Sequence, residues 1–413
     1  MMFLTKLAFK NLARHRNRTL ITASIIAVAI LFYIFLDSMI GGMVEMSYET
    51  IIDYESGHLQ VVDSRYWERE SELPLEHLME LDEALMDVIR RSGGYHASSP
   101  ELSFQARLTV GSGELPVIAK GVRSEDFVDV FALEDKFVEG SMFASGQYQV
   151  VLGKRLADLL DIGTGDYLTL LFRDKNKSFN TIDAEVVGLV HTSNPNVNQN
   201  TVFVPLDLAQ EALGVDGQVS KLIVRLNDKG MASQVADDMR KSLAGSRSEL
   251  TVYPWDELEA FTYVEAQKAE NLIILGLILR IAAIAIVNTV ILAALERTEE
   301  IGMMKALGLQ NSEVIYTFAL ESTGIGILGG VVGVVLGLIS VGLLSKYGMD
   351  FESLFRMDLT EFGIPVIGRV YGTWNPSAFV MVFLFGVIVS LLASILPAYW
   401  AADKDPVKSI YHR

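Results

Sequence analysis

Six histidines (His15, His58, His77, His96, His191 and His412) are scattered through 413 residues. None shows the His-x-x-x-His spacing that sets two imidazoles on one helical face for zinc. There is no cysteine, which removes thiol catalysis, thiolate metal centres and disulfides. Gly153-Lys154-Arg155 lacks the glycine-rich loop and the Ser/Thr of a nucleotide-phosphate cradle. Acidic residues are abundant but stand in no arrangement that suggests acid–base work, and a solvated face explains them. The chain therefore offers no catalytic, cofactor-binding or metal-ligating set and reads as a non-enzyme. Any energy it uses must come from a partner.

Charge is more informative where it does not belong. Half of the chain is hydrophobic and only 21% is charged. Four runs are long enough to span a bilayer, which takes about 18 or more apolar residues: Thr19–Leu36 with a weaker extension to Ile40, Leu272–Leu295, Val314–Leu344 and Ser377–Leu396. Asp37 and Arg280 fall in or beside these runs. A centred Arg costs about 2.5–3.5 kcal/mol on insertion scales. At about 1.5 Å per residue, Arg280 stands about 23 Å and Asp37 about 28 Å from the cytoplasmic side. Three readings stay open for Arg280: a pair with Asp37, an outward snorkel to the interface, or a contact with substrate.

The runs exclude a purely soluble protein. The absence of short alternating strands argues against an outer-membrane barrel. The net charge of −17 is concentrated in the stretch Gly41–Glu270, which holds 39 Asp/Glu against 20 Lys/Arg. Without a basic stripe, nucleic-acid binding is not expected. Lys6, Lys10, Arg14, Arg16 and Arg18 precede the first run, and Lys404, Lys408 and Arg413 follow the last. By the positive-inside rule both termini are cytoplasmic. The first run lacks a small-residue cleavage site and reads as a retained anchor.

The expected fold is a polytopic α-helical membrane protein with four transmembrane helices in a one-plus-three layout. A large mixed α/β extracytoplasmic domain lies between helices 1 and 2. The expected divisions are a cytoplasmic interfacial helix (1–18), helix 1 (19–40), the external domain with helical stalks (41–270), helix 2 (271–295), a cytoplasmic loop (296–313), helix 3 (314–344), an external loop (345–376), helix 4 (377–397) and a cytoplasmic tail (398–413). Within the domain, strands are expected at Gly57–Trp67, Gln149–Gly153, Tyr167–Phe172, Ile182–Val190, Thr201–Pro205 and Lys221–Leu226. A hairpin is expected over Arg107–Val122, helices at Lys154–Leu160, Leu206–Leu213 and Met231–Leu243, and a polar loop at Asn194–Asn200. Asp256–Glu270 has helical period and runs into the second span without a breaker.

The third span is rich in glycine. Gly329, Gly333 and Gly337 form overlapping Gly-x-x-x-Gly steps, and Gly326 with Gly330 forms another. Such spacing lets helices approach closely. Between the second and third spans, Thr298–Leu307 has helical character, with Ile301, Met304 and Lys305 on one side, Met303 and Leu307 on another apolar edge, and Gly308 as a stop.

That loop carries a resemblance. Glu296-Arg-Thr-Glu-Glu-Ile-Gly-Met-Met-Lys-Ala-Leu-Gly308 resembles the E-R-x-x-E-I-G-x-x-[KR]-A-[LI]-G segment of ABC-transporter permeases of the MacB/FtsX/Lol superfamily. Ala8-Phe-Lys-Asn-Leu-Ala-Arg-His-Arg-Asn-Arg18 is similar to that superfamily's entry into its first span. Pro397-Ala398, Ala401-Ala402 and Asp405-Pro406-Val407 resemble its ending. Ser56-Gly-His-Leu-Gln-Val-Val62 is similar to the Gly-His-[IL]-Q segment of Lol-type lipoprotein-release permeases.

The resemblance implies an inner-membrane subunit without an ATPase of its own. Its expected partners are an ABC ATPase subunit that binds ATP and Mg, a second permease subunit (identical or homologous), lipoprotein substrate, a periplasmic carrier and membrane lipid. It assigns ATPase coupling to Glu299, Glu300, Ile301, Gly302, Met303, Met304, Lys305, Ala306, Leu307 and Gly308. Met304 and Leu307 are the expected contacts, because apolar groups on a cytoplasmic loop otherwise lie exposed. It assigns no residue to carrier binding. Two other functions fit the same residues: MacB-like efflux or FtsX-like mechanotransmission, and an ATPase-independent membrane sensor or adhesion protein.

Overall fold

The computed structural model describes residues 5, 10, 12, 14, 16–245, 247–296, 298–350, 353 and 368–403. Most of the interfacial helix expected at 1–18 and half of the external loop at 345–376 lie outside that set. Helix α1 (Arg16–Ile51) ends in a π-turn, Ile52–Ser56. The chain then gives β1 (Leu59–Asp63), α2 (Ser64–Trp67), a 3₁₀ turn at Glu70–Glu72, β2 (Met79–Glu80), α3 (Glu83–Arg90), β3 (Tyr95–Val110), β4 (Gly113–Val122) and α4 (Ser124–Val130). Next come β5 (Phe137–Gly140), β6 (Gln149–Gly153), α5 (Lys154–Leu160), β7 (Tyr167–Arg173), β8 (Phe179–Val190), α6 (Pro195–Asn200), β9 (Thr201–Pro205) and α7 (Leu206–Leu213). After β10 (Gln218–Val219), β11 (Lys221–Leu226), α8 (Ala232–Leu243) and β12 (Leu250–Pro254), three long helices and one short one finish the chain. They are α9 (Glu259–Leu295), α10 (Thr298–Ala306), α11 (Asn311–Tyr347) and α12 (Pro376–Asp403), with the small β13 (Met349–Asp350) and β14 (Arg369–Val370) between the last two.

The chain divides into two units. One is Glu45–Glu265 over its described residues. The other gathers Met1–Val44, Ala266–Asp350 and Arg369–Arg413. In the first unit the strands close on themselves. β3 pairs with β4, β4 with β9, β9 with β6, β6 with β8, β8 with β7, and β7 returns to β3. Alternate residues point into this ring and are buried, among them Leu108, Ala119, Leu152, Leu170, Ala184 and Val202. That is the period of two that a strand imposes. β11, β1 and β12 extend the sheet from the first half of β3.

The start of this unit differs from the sequence reading. The strand expected to reach Trp67 stops at Asp63, whose side chain accepts from the Arg65 N–H and caps α2. β3 begins at Tyr95, well before the expected Arg107. The expected loop at Asn194–Asn200 contains α6, with Asn194 as cap and Pro195 at its first position.

In the second unit, α1, α9, α11 and α12 contain four segments long and apolar enough to span a membrane. Their apolar sides meet in a cluster that includes Ile26, Ile30, Ile34, Leu275, Ile286, Val290 and Val382. Aromatic side chains lie exposed near helix ends, Tyr347 and Trp374 at one pair of ends and Tyr399 and Trp400 at the end of α12. Aromatic belts of this kind sit at membrane–water interfaces.

Candidate functional site

The connector between α9 and α11 is built from local rules. α10 ends at Gly308, which takes φ +95°. Its N–H donates to Lys305 O at 2.9 Å, while the Leu309 N–H donates to Met304 O at 3.2 Å. This is a glycine-terminated helix stop. α11 then starts with a capping box between Gln310 and Glu313.

Two sides of α10 face different surroundings. Met304 packs with Leu309 and Ile315 against Val314, Phe318, Ala398 and Ala402. The Lys305 ammonium donates to the Ala402 carbonyl oxygen, and Gly302 is buried. The other side is open: Met303 is 53% and Leu307 83% exposed. Ala306 and Gly308 are exposed and Glu300 is half-buried. The side chains of Glu299 and Ile301 lie outside the described residues. Met304 and Leu307, both expected as partner contacts, thus differ in surroundings. Met304 serves the helix bundle, and Met303 with Leu307 at i and i+4 forms the free apolar edge.

The glycines of α11 present two packing faces. A Cβ on Gly329, Gly333 or Gly337 would come within 2.6–2.8 Å of Ala23, Ala27 or Ile34 of α1. On the other face, a Cβ on Gly330 would stand 2.7 Å from Phe383 and one on Gly326 3.0 Å from Ser390, both of α12. One helix thus holds two neighbours at backbone contact distance.

The structure does not bring Asp37 and Arg280 together. Asp37 Oδ2 accepts from Asn375 Nδ2 at 3.0 Å, beside the Ser38 hydroxyl, which donates to Thr373 O at 2.8 Å. Asp37 therefore fixes the segment leading into α12. The inward stripe of α9 carries Leu275, Ile286 and Val290; Arg280 lies off that stripe and is exposed.

The Ser56–Val62 segment proves to be a joint. Gly57 takes φ +61°, and a Cβ there would strike Ile223 Cγ2 at 2.5 Å. His58 Nδ1 accepts the Leu226 N–H at 3.0 Å. Burial, then the nearby Arg225 guanidinium, depress its pKa to about 4. Asp53 pairs with Arg225 at 2.8 Å, and Asn194 donates to Glu55 at 3.0 Å. These polar ties anchor the end of α1 to the sheet. Sequence reasoning missed them because their partners lie far along the chain.

A second buried network lies deeper in the sheet. Glu101 faces Lys221 at 3.6 Å and Lys120 at 3.4 Å, and Lys221 reaches Glu70 at 2.9 Å. Burial lowers the Lys221 pKa, but the carboxylates of Glu70 and Glu101 outweigh it and hold the ammonium above its ordinary range. Burial raises the Glu101 pKa, and the two lysines more than reverse that. The network is a charge-compensated core, with each ion offset inside the fold.

Comparison with known proteins agrees with this architecture. Residues 19–242 match the MacB-like periplasmic core domain, and residues 272–406 match the FtsX-like permease C-terminal domain. The chain is 25% identical over 322 residues to the lipoprotein-releasing system transmembrane protein LolC of Xylella fastidiosa, covering 76% of this chain and 77% of that one. It is 22% identical over 425 aligned positions to an uncharacterized ABC transporter permease of Methanocaldococcus jannaschii, covering 98% and 96%. It is 25% identical over 276 residues to the macrolide export ATP-binding/permease protein MacB of Nitrobacter winogradskyi, covering 64% and 39%. Among solved structures, the periplasmic region of MacB from Actinobacillus actinomycetemcomitans aligns at TM-score 0.36 and 16% identity, covering 54% of this chain and 97% of that one. With a MacB-like core between its first two spans and an FtsX-like permease domain after it, this multi-pass membrane protein belongs to the MacB/FtsX/Lol superfamily of ABC-transporter permeases.

Proposed function

We propose that this chain is a non-catalytic permease subunit whose ATP and Mg are bound by a separate ATPase, and that it releases lipoproteins from the inner membrane. Both termini and the α10 connector face the cytoplasm, and the Glu45–Glu265 unit faces the periplasm. A second permease subunit completes the transporter. The observation that carries the reading is the division of labour on α10. Met304 and Lys305 hold the helix to α11 and α12, while Met303 and Leu307 stay exposed. An apolar edge on a pinned helix suits docking into a groove of a partner.

Closure of the ATPase pair would move α10 as one piece with α11 and α12. α1 and α9 would pass the movement outward, since each runs as one continuous helix from span to domain. The lipoprotein assignment rests on the Ser56–Val62 resemblance and on the similarity to LolC. The test is reconstitution of the chain and its co-purified ATPase in proteoliposomes loaded with an acylated protein. ATP should release that protein to a soluble acceptor. ATPase stimulation without release would favour the second reading, MacB-like efflux or FtsX-like mechanotransmission, which the MacB-like core supports. Absence of any co-purifying ATPase would sink both.

A further inference from the structure

The strand ring has one fork. β3 pairs with β7 from Ala106–Phe172 to Thr109–Thr169, and with β11 from Tyr95 to Glu101. Between those stretches its ladder to β4 continues on one side. On the other side the ladder is interrupted, and the segment around Glu70–Glu72 folds over it, with Gln105 Nε2 donating to Glu72 O at 3.4 Å. The fork opens into a cleft of about 900 Å³, at the upper end of the size range of small-molecule sites.

The lining of the cleft is amphipathic. Its lining includes the T-shaped pair Phe104 and Phe172, with centroids 5.1 Å apart. Val117, like Phe104 and Phe172, belongs to the buried core behind the cleft; Ile118 and Leu171 give the cleft its accessible apolar surface. Ile118 is 38% and Phe179 68% exposed. Arg173 at the end of β7, with Lys175 and Lys177 in the turn after it, also lines the cleft.

These three cations differ from the other two in the lining. Arg69 is paired with Glu72 and Arg107 with Glu114. Among the described residues no ion pair engages Arg173, Lys175 or Lys177. Arg173 lies over the Phe179 ring at 4.8 Å, and the Lys175 ammonium reaches only the neutral Gln218 amide oxygen at 3.4 Å. The carboxylate within the turn, Asp174, is taken up by the N–H groups of Asn176 and Ser178. An acidic domain thus places three cations without an ion-pair partner, among the described residues, beside the exposed Ile118 and Phe179 of the cleft.

We propose that this cleft binds an anionic phospholipid, with an acyl chain against Ile118 and Leu171 and the phosphate at Arg173, Lys175 and Lys177. Apolar burial supplies the attraction and scales with chain length. The cations select charge, because hydrogen bonds between ionised groups are the stronger kind. The proposal does not depend on lipoprotein release.

The test uses the full chain in peptidiscs and a palmitoyl lysophosphatidylglycerol carrying a diazirine on its chain. After illumination, labelled peptides are mapped by mass spectrometry. Label is expected in the stretches 69–76 and 171–179, competed by unlabelled lysophosphatidylglycerol and roughly tenfold less by neutral lysophosphatidylcholine. Ile118→Glu, and separately Lys175→Glu with Lys177→Glu, should each lower cleft labelling roughly tenfold. Labelling of the spans should stay at the wild-type level in both and serves as the control for folding. Label confined to the spans, equal competition by the neutral lipid or by an acylated peptide, or cleft labelling unchanged in both variants would overturn the proposal.

Discussion

Gly333 rests directly on the backbone of Ala27: a Cβ built on the glycine would lie 2.8 Å from the Ala27 carbonyl oxygen and 2.8 Å from Ile30 Cβ. There is no room for a side chain, and the atom in the way is backbone. Gly333→Leu should therefore force α11 off α1, an overpacking cost of about 1–3 kcal/mol. Thermal unfolding followed by size-exclusion fluorescence should show a lower midpoint. Gly342, whose nearest neighbour is Trp374 at 3.9 Å, should accept Ala with no loss.

His58 makes acid stability a test of the joint below α1. Its pKa is about 4 when folded against about 6.5 unfolded. The fold therefore favours the neutral ring. That stability is complete above about pH 6.5 and is lost as pH falls toward 4, up to an amount on the order of 2–3 kcal/mol. His58→Asn, which can still accept from the Leu226 N–H, should flatten chemical-denaturation stability between pH 7 and 4. A slope identical to wild type would show that His58 is not the titrating group.

The Glu101–Lys221 pair should respond asymmetrically. Glu101→Gln leaves two buried lysines with one acid fewer, and breaking such a pair costs about 3–5 kcal/mol. Glu101→Leu combined with Lys221→Met should be milder than the sum of the two single changes in a double-mutant cycle. Strict additivity would mean that the two charges do not act together.

The α10 edge separates docking from folding. Met303→Asp and Leu307→Asp should leave expression and thermal stability near wild type while reducing recovery of the ATPase in pull-downs, since truncated anchors cost about 2 kcal/mol or more of binding. Met304→Asp should instead lower stability of the permease alone, because Met304 packs against the α11–α12 cluster. The reverse pattern would place the docking face on the wrong side of the helix.

Topology can be read in the same Cys-free background. Single cysteines at Ser145, Gln310 and Ser409 should give labelling by an impermeant thiol reagent in intact spheroplasts only at position 145. Labelling at 310 would remove α10 from the ATPase side.

Much of this was visible in the sequence, for identifiable reasons. The spans announce themselves by unbroken apolar runs, and β7, β8, β9 and β11 by length and β-branched content. The first half of β3 does not. It carries Ser98, Ser99, Glu101 and Ser103, all buried, and local pattern gives no hint that Lys120 and Lys221 will compensate the acid. For α6 the signal was present, an Asn cap followed by Pro, but the density of Asn made the stretch look like a loop. The α10 segment was legible as a helix by its motif. Which edge it would expose was not, because both edges carry Met and only the packing of Val314 and Ala398 decides between them. Arg280 and Asp37 agreed in depth along the membrane normal, but depth says nothing about rotation around a helix axis.

The pairing of β1 with β12 has a mechanical consequence. The two strands run antiparallel with Leu59 opposite Pro254 and Asp63 opposite Leu250, so the chain arrives from α1 and departs toward α9 at the same end of one ladder. A tug shared equally by both helices lifts the two strands together and leaves the hydrogen bonds between them unloaded. A tug on one helix alone slides β1 against β12 and strains the whole row at once, the loading direction in which hydrogen bonds perpendicular to the strands must yield together rather than one by one. The β1–β12 ladder thus answers only to a difference between the two pulls, whereas a common pull passes through β1 to its other ladder, with β11.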